Sequence, residues 1–382
     1  MERMRDGDIK MMKMHVIHRN LFRLLRAGAF GEKVAIEPLS AWKWNRLYQL
    51  SLLHDISALV YDGVMQCSYQ FFAQLPEQLF QTWGKAVRET EEKNREVNIR
   101  LSELINLFNE QKTRPILLKG QSIAQLYDQP LHRTAGDIDI FFPYEVQARK
   151  ADEWASTNAT TTEEPEKHSL QYTWKGVQVE HHHRAASLTN ALLNRTLQNI
   201  ISDEISSNDA QYTYVNATRT EVLTPTLSLL LMLLRNTTYI MNEGVSLKQI
   251  TDLGIFLRKA GHRVDFVKLD GWSERLGLAR FSQLQGALLT ELLGFEVDEI
   301  PFMQADAETD ISHVMQEMFL LRRQHASEWQ FQQGRGVFVH ASNTSAMLWH
   351  VRHSARYFRY YPAETFTNFF ANFARSLEYI EE

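Results

Sequence analysis

The chain has 382 residues, 44% hydrophobic, 11% aromatic and 23% charged, a profile that excludes disordered and fibrous classes. Its 41 basic residues are outnumbered by 46 acidic ones, for a formal net charge of −5. That balance disfavours a grip on long duplex nucleic acid, which needs a dense basic face, but is compatible with a small nucleotide or a local tRNA-end contact.

Met1 to Met14 mixes Arg, Asp and Lys with methionine and lacks the apolar run of a secretory signal. From about His15 to Gln111 the pattern predicts helices, punctuated by Pro38 and Pro76. Within this region Val97, Leu101, Leu104, Ile105 and Phe108 recur at three- and four-residue spacing, the apolar stripe of a core-facing helix. The single Cys67 cannot form an intrachain disulfide, which fits a reducing compartment and makes the cytoplasm the expected location.

At Arg114 the texture changes. RPILLKG predicts a short strand closed by glycine, QSIAQLYD a helix directly after it, and IDIFF a strand after a loop containing Pro130 and Gly136. Tyr144 to Asn158 predicts a helix and Thr157 to Glu166 an exposed loop. Ser169–Trp174 and Val177–His183 predict a hairpin around Lys175-Gly176. Beyond Pro225 the expected helices lie near 226–241, 246–260, 264–276, 279–294, 308–330 and 344–380. The apolar run Leu227–Leu234 is far shorter than the ~20 residues a membrane span requires, so no span is expected. The expected fold is α+β: a small mixed sheet at 113–223, set between an N-terminal helical region, 1–112, and a C-terminal helical domain, 224–382.

Several residues are candidates for chemistry. Side chains alternate along a strand, so Asp137 and Asp139 share one face while Ile138 and Ile140 point into the core. Paired carboxylates on a rigid strand repel unless a cation sits between them, and an oxygen-rich pair suits Mg²⁺ bound together with substrate phosphates. Alone, D-x-D also fits two solvated aspartates at a strand edge. On Val177–His183 the alternation sets Gln178, Glu180 and His182 on one face, so Glu180 completes an acidic triad if this strand lies beside IDIFF. Such a triad can hold two ions. Three consecutive histidines cannot readily share one zinc, because neighbours on a strand face opposite ways; His182 is instead placed to contact substrate beside Glu180.

Lys119-Gly120-Gln121-Ser122 stands where a strand turns into a helix. A glycine there lets backbone N–H groups approach a phosphate, with Ser122 offering a hydroxyl and Lys119 a point charge. Arg133, just before the acidic strand, is a candidate phosphate clamp. Lys248 and Asp252 stand four apart on one helix face, the spacing of an ordinary surface ion pair and also of two groups aimed at one site.

LLKG, LY, Arg133 and GDIDI, followed by VEHHH, resemble the uncharacterised nucleotidyltransferase family of the DNA polymerase beta-like nucleotidyltransferase superfamily. That superfamily carries glycine-serine at a helix start, then D-x-D, then a third carboxylate on a later strand. Gly120, Asp137, Asp139 and Glu180 stand in that order here, although Gln121 separates Gly120 from Ser122 and the third carboxylate is Glu. GVSLKQITDLGIFLRK and LGLARFSQLQGALLTELLGF are similar to the family's C-terminal helices, so the resemblance runs from about residue 90 to the end. The Lys-x-x-x-Asp helix is also similar to AbiEii-type nucleotidyltransferase toxins, which implies phosphate-binding and catalytic roles for Lys248 and Asp252.

What this resemblance implies is transfer of a nucleoside monophosphate from an NTP, ATP among them, to an acceptor hydroxyl with release of pyrophosphate. Asp137, Asp139 and Glu180 would hold one or two Mg²⁺ ions, with Mn²⁺ an alternative, and Glu180 would help deprotonate the acceptor. Lys119, Ser122 and Arg133 would neutralise the triphosphate, and the helices after Pro225 would cover the base. The acceptor, whether small molecule, tRNA or protein, is open. The rivals are a catalytically silent nucleotide- or sugar-binding scaffold and a toxin-like transferase acting on tRNA or protein.

Overall fold

The computed structural model describes residues 14–162, 168–207, 210–242, 244–304, 309–319 and 356–367. Four helices lead the chain: α1 (Val16–Phe30), α2 (Ala41–Leu53), α3 (Ser57–Gln66) and the 34-residue α4 (Glu77–Glu110). Helices α1 and α3 cross with their backbones almost touching. A Cβ added to Gly28 would sit 1.8 Å from the Leu59 carbonyl oxygen, and one on Gly63 would sit 1.9 Å from that of Leu24. Only glycine fits at either position.

Helix α4 serves two cores. Its first half places Leu79, Trp83 and Val87 in a core shared with α1–α3 and the C-terminal helices. Its second half places Val97, Leu101, Leu104, Ile105 and Phe108 in a separate core beneath the sheet. The apolar stripe expected from the sequence is this second half.

The sheet has seven strands: β1 (Ile116–Leu117), β2 (Ile138–Phe141), β3 (Thr161–Thr162), β4 (Ser169–Trp174), β5 (Val177–His182), β6 (Gln211–Val215) and β7 (Thr218–Val222). Their order is β3-β4-β5-β2-β1-β7-β6. The ladder is mixed: β2 runs parallel to β5 and antiparallel to β1, which is parallel to β7. The expected β4–β5 hairpin is present, with positive φ at both Lys175 (47°) and Gly176 (82°), as a two-residue turn of matching twist requires. Between β1 and β2 lies a single turn of helix, α5 (Gln121–Ala124), shorter than the helix expected over QSIAQLYD. Helix α6 (Glu145–Asn158) covers one sheet face with Ala148, Ala151 and Ala155, small side chains that admit close packing on Ile138, Ile140, Tyr172 and Val179.

Four elements were not expected: helix α7 (Ala191–Ser207), the paired strands β6 and β7, and β3, which lies inside the stretch read as an exposed loop and pairs with β4. Helices α8 (Pro225–Asn242), α9 (Leu247–Ala260), α10 (Phe266–Leu276) and α11 (Ala279–Leu293) follow, close to their expected bounds. Most of the expected helices 308–330 and 344–380 lies outside the described residues, apart from helical segments at 312–319 and 362–367. Among the described residues no helix is long and apolar enough to cross a membrane. The fold is α+β, a mixed sheet within a mostly helical chain.

Candidate active site

The sheet has one apolar face and one mixed face, where Ile116 and Phe141 pack into the helical core and β2 and β5 also present polar groups. Ile138, Ile140, Val177 and Val179 are buried in the core beneath the sheet. Strand alternation turns Asp139, Gln178, Glu180 and His182 the other way. Because β2 and β5 are parallel neighbours, register sets Asp139 directly opposite Glu180 and Phe141 opposite His182. The ligating atoms of Asp139, Glu180 and His182 lie within 4.8 Å of one another. Two carboxylates and an imidazole are a donor set that accepts a divalent cation.

Asp139 is 1% exposed. Lys119 Nζ and His182 Nε2 each reach its Oδ1 at 2.8 Å, and His182 Nε2 also lies 3.5 Å from Glu180 Oε2. Burial alone opposes ionisation of Asp139. The hydrogen bond from His182 and the charges of Lys119, His182 and Arg235 outweigh it and hold the carboxyl below its usual range. Asp137 stands half-buried just before β2 and outside the 4.8 Å group. It lines, with Glu180, Gly136, Gln171 and Gln178, an open pocket of about 540 Å³.

The three histidines divide as alternation dictates. While His182 joins Asp139, His181 Nδ1 and His183 Nε2 both meet Asp152 of α6, at 3.0 and 2.7 Å. The Tyr172 hydroxyl completes the shell of His181 at 2.9 Å. Burial pushes His181 below the usual histidine range despite Asp152.

At the strand-to-helix turn, Gly120 adopts φ 62°, a region that favours glycine. Gln121 is 2% exposed, and neither of its amide atoms meets a hydrogen-bond partner. The Ser122 hydroxyl donates back to the Leu118 carbonyl at 3.2 Å. Arg133 grips Asp252 of α9 bidentately, Nε to Oδ1 and Nη2 to Oδ2, both at 2.7 Å. The Tyr127 hydroxyl donates to the same Oδ1 at 2.7 Å. Burial opposes the Arg133 charge, but the Asp252 carboxylate more than compensates and pushes its pKa up. Helix α9 begins at a capping box, in which Ser246 and Gln249 exchange backbone bonds. Lys248, one turn before Asp252, pairs instead with Asp55 at 3.3 Å. The structure thus gathers Lys119, Arg133, Asp139, Glu180, His182 and Asp252 around the mixed face and leaves Lys248 at another partner.

Two contributors escaped the sequence reading. Asn94 of α4, 4% exposed, holds the loop before Asp137. Its Nδ2 donates to the Leu131 and Arg133 carbonyls at 2.5 and 2.9 Å, and its Oδ1 accepts from Ala135 N at 3.0 Å. The signal was a polar residue on an apolar stripe, seven after Val87 and three before Val97. Arg235 of α8 lines a small cavity with Lys119, Arg133 and Asp252. It is the first charge after the run Leu227–Leu234.

No curated protein matches the chain significantly. An antigenic nucleotidyltransferase-like protein from Paracoccidioides brasiliensis is similar to 51% of this chain over 91% of its own, at 13% identity and a TM-score of 0.34. A family model described as an uncharacterised nucleotidyltransferase matches residues 40–294, the greater part of the chain, and the chain belongs to that family.

Proposed function

We infer that the mixed face of the sheet catalyses metal-dependent transfer of a nucleoside monophosphate from an NTP to an acceptor hydroxyl. The observation that carries this reading is the parallel register of β2 and β5, which sets Asp139 opposite Glu180 with His182 in reach and Lys119 at 2.8 Å. In the reaction the acceptor oxygen attacks the α-phosphorus and its proton passes to Glu180 or solvent. The bond from the α-phosphorus to the β-phosphate oxygen breaks, and pyrophosphate leaves with that electron pair.

Asp139 and Glu180 are the residues to hold a cation, with His182 adjoining them and Asp137 approaching from the pocket side. Mg²⁺ or Mn²⁺ held there would draw charge from the triphosphate and acidify the acceptor hydroxyl. Lys119 neutralises phosphate oxygens and Gly120 opens backbone N–H groups to them, since phosphoryl transfer rests on positioning and charge. Arg133 and Asp252, each committed to the other, act by fixing the loop against α9. The 540 Å³ pocket beside Asp137 and Glu180 has room for a substrate. Lys248, paired with Asp55, is given no role in the transfer.

A second reading, a silent scaffold, draws on one observation: Lys119 already pairs with Asp139, and His182 meets the same carboxylate oxygen. Equilibrium binding of each NTP with and without Mg²⁺ separates the two. Transfer predicts Mg²⁺-dependent binding that falls sharply in Asp139→Ala and in Asp137→Ala. Equal binding by native and variant chains, with or without the ion, would sink the cation site.

A further inference from the structure

Helix α8 is apolar for most of its length, and Arg235-Asn236 interrupts that run on the side facing the β1–α5 turn. Between them lies a cavity of about 50 Å³, whose charged and amide-bearing lining is Lys119, Arg133, Arg235, Asn236, Gln249 and Asp252, the rest being mostly leucine, isoleucine and methionine. A water-sized probe needs ~10–15 Å³ of such space, so the cavity has room for the few oxygens of one phosphoryl group.

The lining carries three cations and one carboxylate. Lys119 is met by Asp139 at 2.8 Å and Arg133 by Asp252 at 2.7 Å. Arg235, by contrast, forms neither a hydrogen bond nor an ion pair among the described residues. Beside it Asn236 is 3% exposed, and its Nδ2 has no acceptor. A buried amide donor without a partner costs roughly 1–3 kcal/mol. Two donor groups without a protein acceptor therefore line a cavity whose one carboxylate, Asp252, is already held by Arg133 and Tyr127. An oxyanion answers both: it takes the planar fork of the guanidinium and the amide N–H together. The cavity also adjoins the cation-site residues, since Lys119 reaches Asp139 while lining it.

We propose that this cavity is a phosphate subsite, where Arg235 and Asn236 hold the terminal phosphoryl group of the triphosphate and then that same group of the departing pyrophosphate. The assignment of that phosphate to an NTP rests on the nucleotidyl-transfer reading above.

The test is calorimetric titration of the full chain with inorganic pyrophosphate, without divalent cation, alongside turnover of NTP with Mg²⁺. Native chain should bind pyrophosphate. Arg235→Ala should weaken that binding at least tenfold, and Arg235→Lys, which keeps the charge but loses the fork, should fall between. In turnover Arg235→Ala should raise KM for NTP and the inhibition constant of pyrophosphate by similar factors. Thermal unfolding of each variant identifies any loss that comes from misfolding, and Arg235→Lys then carries the test. Native chain that ignores pyrophosphate, or equal binding by native and Arg235→Ala, overturns the subsite. Asp139→Ala keeps the two ideas apart: it should abolish turnover while retaining cation-free pyrophosphate binding. Unchanged turnover in Asp139→Ala would overturn the transfer reading and leave the titration to decide the subsite.

Discussion

Removing either partner of the Arg133–Asp252 pair tests whether these two buried charges depend on each other. They are 7% and 6% exposed, so water screens neither. Two bonds of 2.7 Å join them, and Tyr127 adds a third to Asp252 at 2.7 Å. Removing one partner strands a buried charge, which typically costs about 3–5 kcal/mol. Arg133→Ala should lose that much, and Asp252→Ala a similar amount, since it also leaves the Tyr127 hydroxyl without its acceptor. Replacing both, Arg133→Met with Asp252→Leu, removes both charges and fills the space with apolar atoms. Such replacements are often neutral, so the double variant should lose no more than the Tyr127 hydroxyl costs without its acceptor, about 1–3 kcal/mol. Urea unfolding followed by tryptophan fluorescence reads all four proteins, with equal m-values required for the comparison. Single variants that each lose less than about 1 kcal/mol, or a double variant whose loss equals the sum of the singles, would refute the reasoning.

Three further outcomes follow from the geometry. Asn94→Ala strips partners from the Leu131 and Arg133 carbonyls and from the Ala135 amide, and should cost about 2–4 kcal/mol by thermal unfolding; a loss under ~0.5 would contradict the loop-holding role. Gly63→Ala drives a methyl against the Leu24 carbonyl, 1.9 Å from the new Cβ, and should destabilise by at least about 2 kcal/mol, whereas a neutral change would mean that α1 and α3 do not cross this closely. His132 lies between Asp62 at 2.7 Å and Glu91 at 2.9 Å; burial opposes its charge, but these carboxylates win and raise its pKa. A histidine raised on folding stabilises fully below its unfolded value of about 6.5, and that contribution disappears as pH rises through the folded value. Stability measured against pH should therefore fall across that window in native protein and flatten there in His132→Gln; identical slopes would contradict the assignment.

The central strands were legible because they obey a period of two. Ile138, Ile140, Val177 and Val179 are apolar where the face is buried, so Asp139, Glu180 and His182 had to share the other face. The Lys175-Gly176 turn announced its hairpin through glycine. The β6–β7 hairpin offered no such sign: Asn216-Ala217 takes positive φ without glycine, and Tyr212 and Tyr214 alternate outward on the edge strand β6, of which only Val215 is fully buried. Helix α7 has a short stripe, Leu197, Ile200 and Ile201, diluted by Asn, Asp and Ser. Long-range pairing was less accessible still. Four-residue spacing set Lys248 and Asp252 on one helix face, but nothing local decides that Asp252 meets Arg133, 119 positions away, while Lys248 meets Asp55. Arg235 was passed over because a charge ending an apolar run reads as the edge of a helix face; only packing of α8 against the β1–α5 turn brings it to Lys119.

The most direct test of nucleotidyl transfer is to follow the α-phosphate. Native chain, Mg²⁺ and each α-labelled NTP are incubated with a cell extract, in parallel with Asp139→Asn and Glu180→Gln. Transfer predicts label covalently attached to an acceptor and one pyrophosphate released per label, with both signals lost in either variant. Label and pyrophosphate that persist unchanged in both variants, or their absence from the native reaction with every NTP, would contradict it.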